Sequence, residues 1–388
     1  MSRLRFAWIN RIEDVDQEAW DEFARPAETS LLEWAWLRSF ESSGSMSEKT
    51  GWLPCHLLAY RGTTLVGIAP MYVKSHSVGE FVFDYAWAEV AQHIGTEYYP
   101  KLVGMSPATP AVGYRFLVDL SEPDLEEAML AEVHRFADKN DMASVAFNFI
   151  DEEWTDRLKQ AGYSAWKHQS YLWSNDGFAD FDDYLSAFNK NQRRNIKRER
   201  KSVADQGLEI STFLGSQTDE EMFRLMYRYY KATNDQFGMW AARYLNRRFF
   251  EELYPDFADR VLFSAAYDTT GRRGDDEPVA LSFLLAKDGH LIGRYWGSRG
   301  FYDCLHFELC YYAPIEWAID NGYTSFDPGM GSPHKLRRGF RAVSNYSLHR
   351  FTDKRMQAIM EGNIKRINEM EQSRIESMNE LVPFAKKA

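Results

Sequence analysis

Residues 291–326, LIGRYWGSRGFYDCLHFELCYYAPIEWAIDNGYTSF, decide the fold. Leu291 to Trp296 reads as a strand, His306 to Asp320 carries helical apolar spacing, and Tyr323 to Phe326 reads as a second strand. A strand, a crossing helix and a second strand beside the first make a βαβ-like unit on a mixed sheet. Upstream of it, Val261 to Tyr267 and Val279 to Ala286 form a hairpin around the charged, glycine-containing loop from Asp268 to Glu277. Before the hairpin come a strand, Leu208 to Leu214, and two helical stripes. One is Met222, Phe223, Leu225, Met226, Tyr229 and Tyr230, and the other runs from Tyr244 to Leu253.

The first half has the same order. Leu4 to Ile9 is a strand, Trp20 to Phe23 and Leu31 to Phe40 are helical, and Cys55 to Tyr60 and Leu65 to Val73 pair through Arg61-Gly62-Thr63-Thr64. Tyr114 to Leu120, Glu122 to Lys139 and Ala143 to Phe149 then match the strand, helix and strand of residues 291–326. The expected fold class is therefore α+β, with two domains of one design at 1–175 and 176–388. The junction falls between Ser174 and Lys190, where Asn175-Asp176-Gly177 interrupts the pattern. The second domain carries a basic helix at 190–201 and a closing helix at 352–388, whose Met356, Met360, Ile364, Ile367 and Met378 suit docking against a core.

A chain of 388 residues, 45% hydrophobic and 27% charged, is long enough for two cores and too apolar for disorder. Lys plus Arg is 46 against 57 Asp plus Glu, a net charge of −11, which excludes a surface coated throughout for nucleic acid or anionic lipid. Any anion site must be local. Cys55, Cys304 and Cys310 fit neither a disulfide framework nor a zinc site, so no metal is expected. No run approaches the ~20 apolar residues that span a bilayer, and the expected location is the cytoplasm.

The strings YWG (295–297), LHFELCYY (305–312), HK (334–335) and RGF (338–340), with KSHSVGEFVFDYAW (74–87) and YYPKL (98–102), resemble the FemAB-like family of predicted N-acyltransferases, described as peptidoglycan biosynthesis or recognition proteins. The similarity runs from about Trp36 to Phe384. It implies two tandem GNAT-type acyltransferase domains, an acyl-CoA donor such as acetyl-CoA, and a small molecule or peptidoglycan precursor as acceptor. Fem-type relatives use aminoacyl-tRNA as donor, so tRNA is a second implied partner.

The residues themselves suggest where such chemistry lies. A pyrophosphate favours the start of a crossover helix, where backbone N–H groups are free and the dipole is positive. In the first half that start is Ser121, Glu122, Pro123, Asp124, Glu126 and Glu127, which offers a cap but repels phosphate. In the second half it is Gly297-Ser298-Arg299-Gly300-Phe301, where Gly297, Ser298, Arg299 and Gly300 are the candidate donor loop and Arg294 adds a cation. Lys335 and Arg338, after the glycine-rich loop 328–331, are candidates for phosphate or carboxylate, with His334 beside them for substrate.

Acyl transfer to an amine needs a proton acceptor. Glu308 is the first candidate, on an apolar helical face with Tyr312, Ile315 and Ile319, where burial raises a carboxyl pKa. The alternative is a structural Glu tied to a backbone donor or to Arg294. His306 points elsewhere and is the second candidate, while Trp296 reads as core. Pro314 removes a helical hydrogen bond, so the helix either kinks or restarts there.

In the first half, the insertion after Val73 carries Lys74, His76, Glu80 and Asp84, with Tyr98, Tyr99 and Lys101 further on, a mixture expected of an acceptor pocket. The segment KNQRRNIKRERK (190–201) is either a solvated interdomain helix or a polyanion site. The expected function is therefore an N-acyltransferase. The alternatives are a non-catalytic precursor-recognition protein and an RNA-binding accessory protein, and the sequence gives no oligomeric state.

Overall fold

The strand, helix, helix, hairpin order occurs twice in the computed structural model, which describes residues 3–122, 124–238, 242–271 and 276–385. Pro123 and residues 272–275 of the expected hairpin loop lie outside the described residues. The chain divides into two units, Met1–Gln169 with Ser344–Ser373 and Ser170–Val343 with Arg374–Ala388. This differs from a cut at 175/176, because the closing helix is shared in sequence between them. Its Met356 and Met360 pack with Trp87, Ala91, Tyr98 and Phe351, so its apolar stripe completes the core of the first unit.

The first stretch contains β1 (Leu4–Ile9), α1 (Gln17–Ala24), α2 (Trp34–Ser42), β2 (Trp52–Pro54), β3 (His56–Arg61), β4 (Thr64–Ala69), β5 (Met71–Lys74), α3 (Tyr85–His93), β6 (Lys101–Gly104), β7 (Leu117–Val118), α4 (Leu125–Lys139), β8 (Ser144–Asn148), α5 (Thr155–Gln160) and β9 (Ser164–Ser174). The second contains α6 (Phe181–Ser186), α7 (Lys190–Asp205), β10 (Leu208–Leu214), α8 (Glu220–Asp235), α9 (Arg247–Glu251), β11 (Val261–Asp268), β12 (Ala280–Lys287), β13 (His290–Ser298), α10 (Leu305–Phe307), a π turn (Glu308–Tyr312), α11 (Ala313–Asp320) and β14 (Ser325–Asp327). β15 (Arg341–Phe351) and α12 (Lys354–Asn379) close the chain. Helix starts follow the side chains available. Asp16 accepts from the N–H groups of Glu18 and Ala19 at α1, and Asn189 accepts from Gln192 at α7.

In the first unit β1-β3-β4-β7 form one sheet, and β15-β8-β6-β5-β2 run in order in another. The expected strand at 114–120 shrinks to Leu117–Val118, paired with β4 rather than with β8. β8 instead takes β6 as its parallel neighbour, because the insertion between β5 and β7 supplies that strand. The cap expected at α4 is also absent: Asp124 has φ 61° and makes no side-chain cap. In the second unit the order is β10-β11-β12-β13-β14-β9, and here the βαβ expectation holds, with β13 and β14 parallel. Its core includes Tyr184, Phe188, Tyr312, Ile315, Phe326 and Phe340.

Candidate functional site

β13 and β14 pair at only three positions, His290 with Ser325, Leu291 with Phe326 and Ile292 with Asp327. On its other side β13 carries a bulge at Arg294, since Leu284 faces Gly293 while Phe283 faces Tyr295. An extra residue re-aims the side chains that follow it. Beyond the last pair lies a cavity of about 150 Å³, whose walls include Arg294, Trp296, His306, Cys310, Tyr311 and Lys335. Trp296, expected in the core, is instead half-buried on this wall, with its ring 4.7 Å from that of His306.

The far wall owes its shape to Pro314. Without an N–H, Pro314 cannot donate to the carbonyl of Cys310 or Leu309, so neither an α nor a π hydrogen bond closes there. The chain answers with the π turn at Glu308–Tyr312 followed by α11, in which proline occupies the first turn. The Leu309 carbonyl takes its hydrogen bond from Ser282 Oγ on β12, at 2.6 Å. The wider turn brings His306, Cys310 and Tyr311 to one cavity.

Lys335 belongs to a 3-10 helix, Pro333–Arg338, and is 2% exposed. Its ammonium donates to the carbonyls of Gly329 at 2.6 Å and Met330 at 2.8 Å, which leaves one of its three N–H groups for a ligand. Burial lowers its pKa against the pull of Asp327, and burial likewise raises that carboxyl, opposed by the Gly329 N–H and by Lys335. His334 stands beside it, with Nε2 3.0 Å from the Tyr311 hydroxyl. Burial, with Arg338 and Lys335 nearby, pushes His334 down to about 4, and burial and His334 push His306 down to about 3. Both rings are therefore neutral near pH 7.

Glu308 is buried, as expected, but its carboxylate is engaged. Arg200 of α7 donates to both oxygens, Nε lying 3.1 and 3.2 Å away, and Arg200 Nη2 also meets Glu316 at 2.6 Å. Burial raises the Glu308 pKa while Arg200 opposes the shift. Glu308 is not among the residues lining the cavity. Arg338 is likewise committed: it donates to the His334 carbonyl and to Glu199, and its guanidinium lies 3.4 Å from the Phe307 ring centroid.

The 297–300 loop makes mostly internal contacts. A Cβ on Gly297 would fall 2.3 Å from the Tyr229 carbonyl oxygen, so this glycine allows β13 to approach α8. Ser298 Oγ donates to the Gly300 carbonyl at 2.7 Å, and Arg299 pairs with Glu277. α7 turns Glu199 and Arg200 inward and leaves Arg194, Lys197, Arg198 and Lys201 exposed. Lys197 reaches Asp182 and Lys201 reaches Asp205, whereas Arg194 and Arg198 have no ion-pair or hydrogen-bond partner among the described residues.

The first unit gathers the insertion residues into one buried network. Lys101 Nζ lies 2.8 Å from Glu80, 2.5 Å from Asp84 and 2.8 Å from Ser77 Oγ, so all three of its protons are used. Tyr98 donates to Asp84 at 2.8 Å, and Tyr99 shares a hydrogen bond with Ser77. Burial alone would lower Lys101, yet Glu80 and Asp84 raise it above its ordinary value. Burial likewise works to raise Asp84, but Lys101, Ser77 and Tyr98 hold it low, whereas burial wins at Glu80 and raises it. Lys74 donates to the Val78 carbonyl at 3.2 Å and lies 3.4 Å from the Trp52 ring centroid, and burial lowers its pKa to about 7. His76 is the outlier of the group: its ring occupies the space a Cβ on Gly51 would need.

Sequence reasoning thus finds His306, Lys335 and Arg294 around one cavity, with His334 behind its Tyr311 wall, and Lys74, Glu80, Asp84, Tyr98, Tyr99 and Lys101 around one network. It does not single out Tyr311 or Asp327. The signal for Tyr311 is Pro314, three residues on, which forces the turn that aims it.

A family profile named FemAB-like and described as peptidoglycan biosynthesis/recognition matches residues 11–386. No curated protein matches the sequence. Among solved structures, FemX is similar over 92% of this chain and 100% of its own, at 12% identity and a TM-score of 0.55. L-PGS from Bacillus licheniformis is similar over 95% of this chain and 97% of its own, at 11% identity and a TM-score of 0.52. The fold is thus α+β, with the same order of elements in both halves and a C-terminal helix. No helix among the described residues is long and apolar enough to cross a membrane.

Proposed function

This chain belongs to the FemAB-like family of peptidoglycan biosynthesis/recognition proteins, and from that premise we propose that it transfers an acyl or aminoacyl group to an amine of a peptidoglycan precursor in the cytoplasm. The observation that carries this reading is the parting of β13 and β14 around a cavity bordered by Arg294, Tyr311 and Lys335. An acyl carbonyl held there would meet the remaining Lys335 N–H, a donor fixed beforehand by two backbone carbonyls, which stabilises the oxyanion formed when the amine attacks. In this reading Glu308 anchors α7 through Arg200, and it accepts a proton only if that pair opens.

The donor is an acyl-CoA, acetyl-CoA included, or an aminoacyl-tRNA. The exposed Arg194 and Arg198 on α7 suit either phosphate chain, and Arg193, Lys197 and Lys201 extend the same basic surface. The first-unit residues Lys74, His76, Glu80, Asp84, Tyr98, Tyr99 and Lys101 are proposed to bind the acceptor. A second reading, a precursor-recognition protein without turnover, is favoured by the internal use of Gly297, Arg299 and Glu308.

The test incubates the full chain with acyl-CoA thioesters or charged tRNAs and a nucleotide-linked peptidoglycan precursor bearing a free amine, and reads the product by mass. A mass increase on the precursor that needs both substrates supports transfer. Precursor binding with no product from any donor leaves the recognition reading.

A further inference from the structure

We propose that Tyr311 and His334 form a proton path leading from the cavity of the second unit to solvent. The inference rests on the transferase reading and extends it. Tyr311 is buried on the cavity wall, and its hydroxyl lies 3.0 Å from His334 Nε2. His334 is half-exposed, at the outer end of the pair. Its ring meets Tyr311, His306 and Phe307 at centroid distances of 5.7, 5.9 and 5.5 Å, so it is held in place and one side stays open to water.

The reaction has a proton without a destination. An amine that arrives as an ammonium ion must lose one proton before its lone pair can attack. A second proton leaves as the C–N bond forms and the C–S or C–O bond to the donor breaks, and the departing thiolate or alkoxide takes that one. The first has no acceptor within the reaction. Along the path, the ammonium N–H passes its proton to the Tyr311 oxygen while the Tyr311 O–H passes its own to His334 Nε2, and His334 releases a proton from Nδ1 to water. Each station ends neutral, and exchange with water restores the starting tautomer.

The charges facing His334 fit this direction of flow. Lys335 and Arg338 come from its own 3-10 helix, His306 from α10 and Tyr311 from the π turn, and Glu199 on α7 is held by Arg338 and Tyr312. Burial, and after it these cations, keeps the imidazole neutral, able to accept at one nitrogen and donate at the other. They also disfavour any standing positive charge on the ring, so a proton reaching it is passed outward.

Tyr311→Phe and His334→Gln test the path in the full chain. With the donor and precursor that give product, each variant is expected to turn over about a hundredfold more slowly at pH 7, the usual share of a positioned proton acceptor, with donor binding unchanged. The loss should vanish above the pKa of the acceptor amine, where the first proton is already gone. A loss of equal size at every pH, or no loss at all, overturns the path. If the wild-type chain transfers nothing, the reading of function fails and the path is judged by nitrogen NMR of His334. There Tyr311→Phe should move the ring toward the Nε2–H tautomer in a folded protein, and an unchanged tautomer overturns the inference.

Discussion

Two buried lysines with similar exposure behave in opposite ways. Lys101 in the first unit spends all three protons on Glu80, Asp84 and Ser77, and its partners raise its pKa. Lys335 in the second unit rests on two carbonyls beside a cavity, keeps one N–H uncommitted, and has its pKa lowered by burial. Burial is common to both, so burial does not separate a structural cation from one available to a ligand. The count of protons already used does.

The largest effect should come from Lys101→Met, which leaves two buried carboxylates without their cation and is expected to cost ~3–5 kcal/mol in urea unfolding. Adding Glu80→Gln and Asp84→Asn should recover part of that loss. A midpoint unchanged by the single substitution would place Lys101 in the same class as Lys335. Lys335→Met should do the reverse. Transfer falls about 10²-fold, as for loss of one oxyanion donor, while stability drops by only about 1 kcal/mol, since Gly329 and Met330 are half-exposed and water can reach their carbonyls.

Lys74 sharpens the contrast within the first unit, and its effect is read only as a dependence of stability on pH. Folded, it titrates at about 7, below its ordinary 10.5. Below pH 7 both states hold the proton and the burial penalty is constant. Above pH 7 the folded state releases it while the unfolded state keeps it, so stability rises with pH up to about 10.5, by at most about 1.4 kcal/mol per pH unit. Urea midpoints from pH 6.5 to 9.5 should show this rise in the wild type relative to Lys74→Met. Parallel curves would mean that the amine stays charged.

The repeated element order was legible because it rests on apolar periodicity, which tertiary contacts here reinforce. β1 and β10 fall at the expected residues, and α8 carries the expected stripe. The pairing of β7 was not legible, since nothing local to 114–120 tells whether β6 or β7 will lie beside β8. At the site, residue type pointed to Lys335 and His306, but proton counts depend on partners far away in sequence. Arg200 reaches Glu308 across 108 positions. Trp296 was read as core for a different reason: the bulge at Arg294, which re-aims this stretch of β13 toward the cavity, leaves no mark in the sequence.

The partition of the chain bears on how it is made. The first unit includes Ser344–Ser373, about 175 residues after its main part ends at Gln169. At ~5–20 residues per second, a ribosome needs roughly ten to thirty-five seconds to cover that distance. Throughout that interval the nascent first unit lacks β15 and the methionine stripe of α12, and the second unit has been emerging. A fragment ending near residue 175 would preserve this unfinished state, with Trp87 and Tyr98 uncovered, so shortened versions of the chain should retain residues through Ser373 if the first unit is to stand.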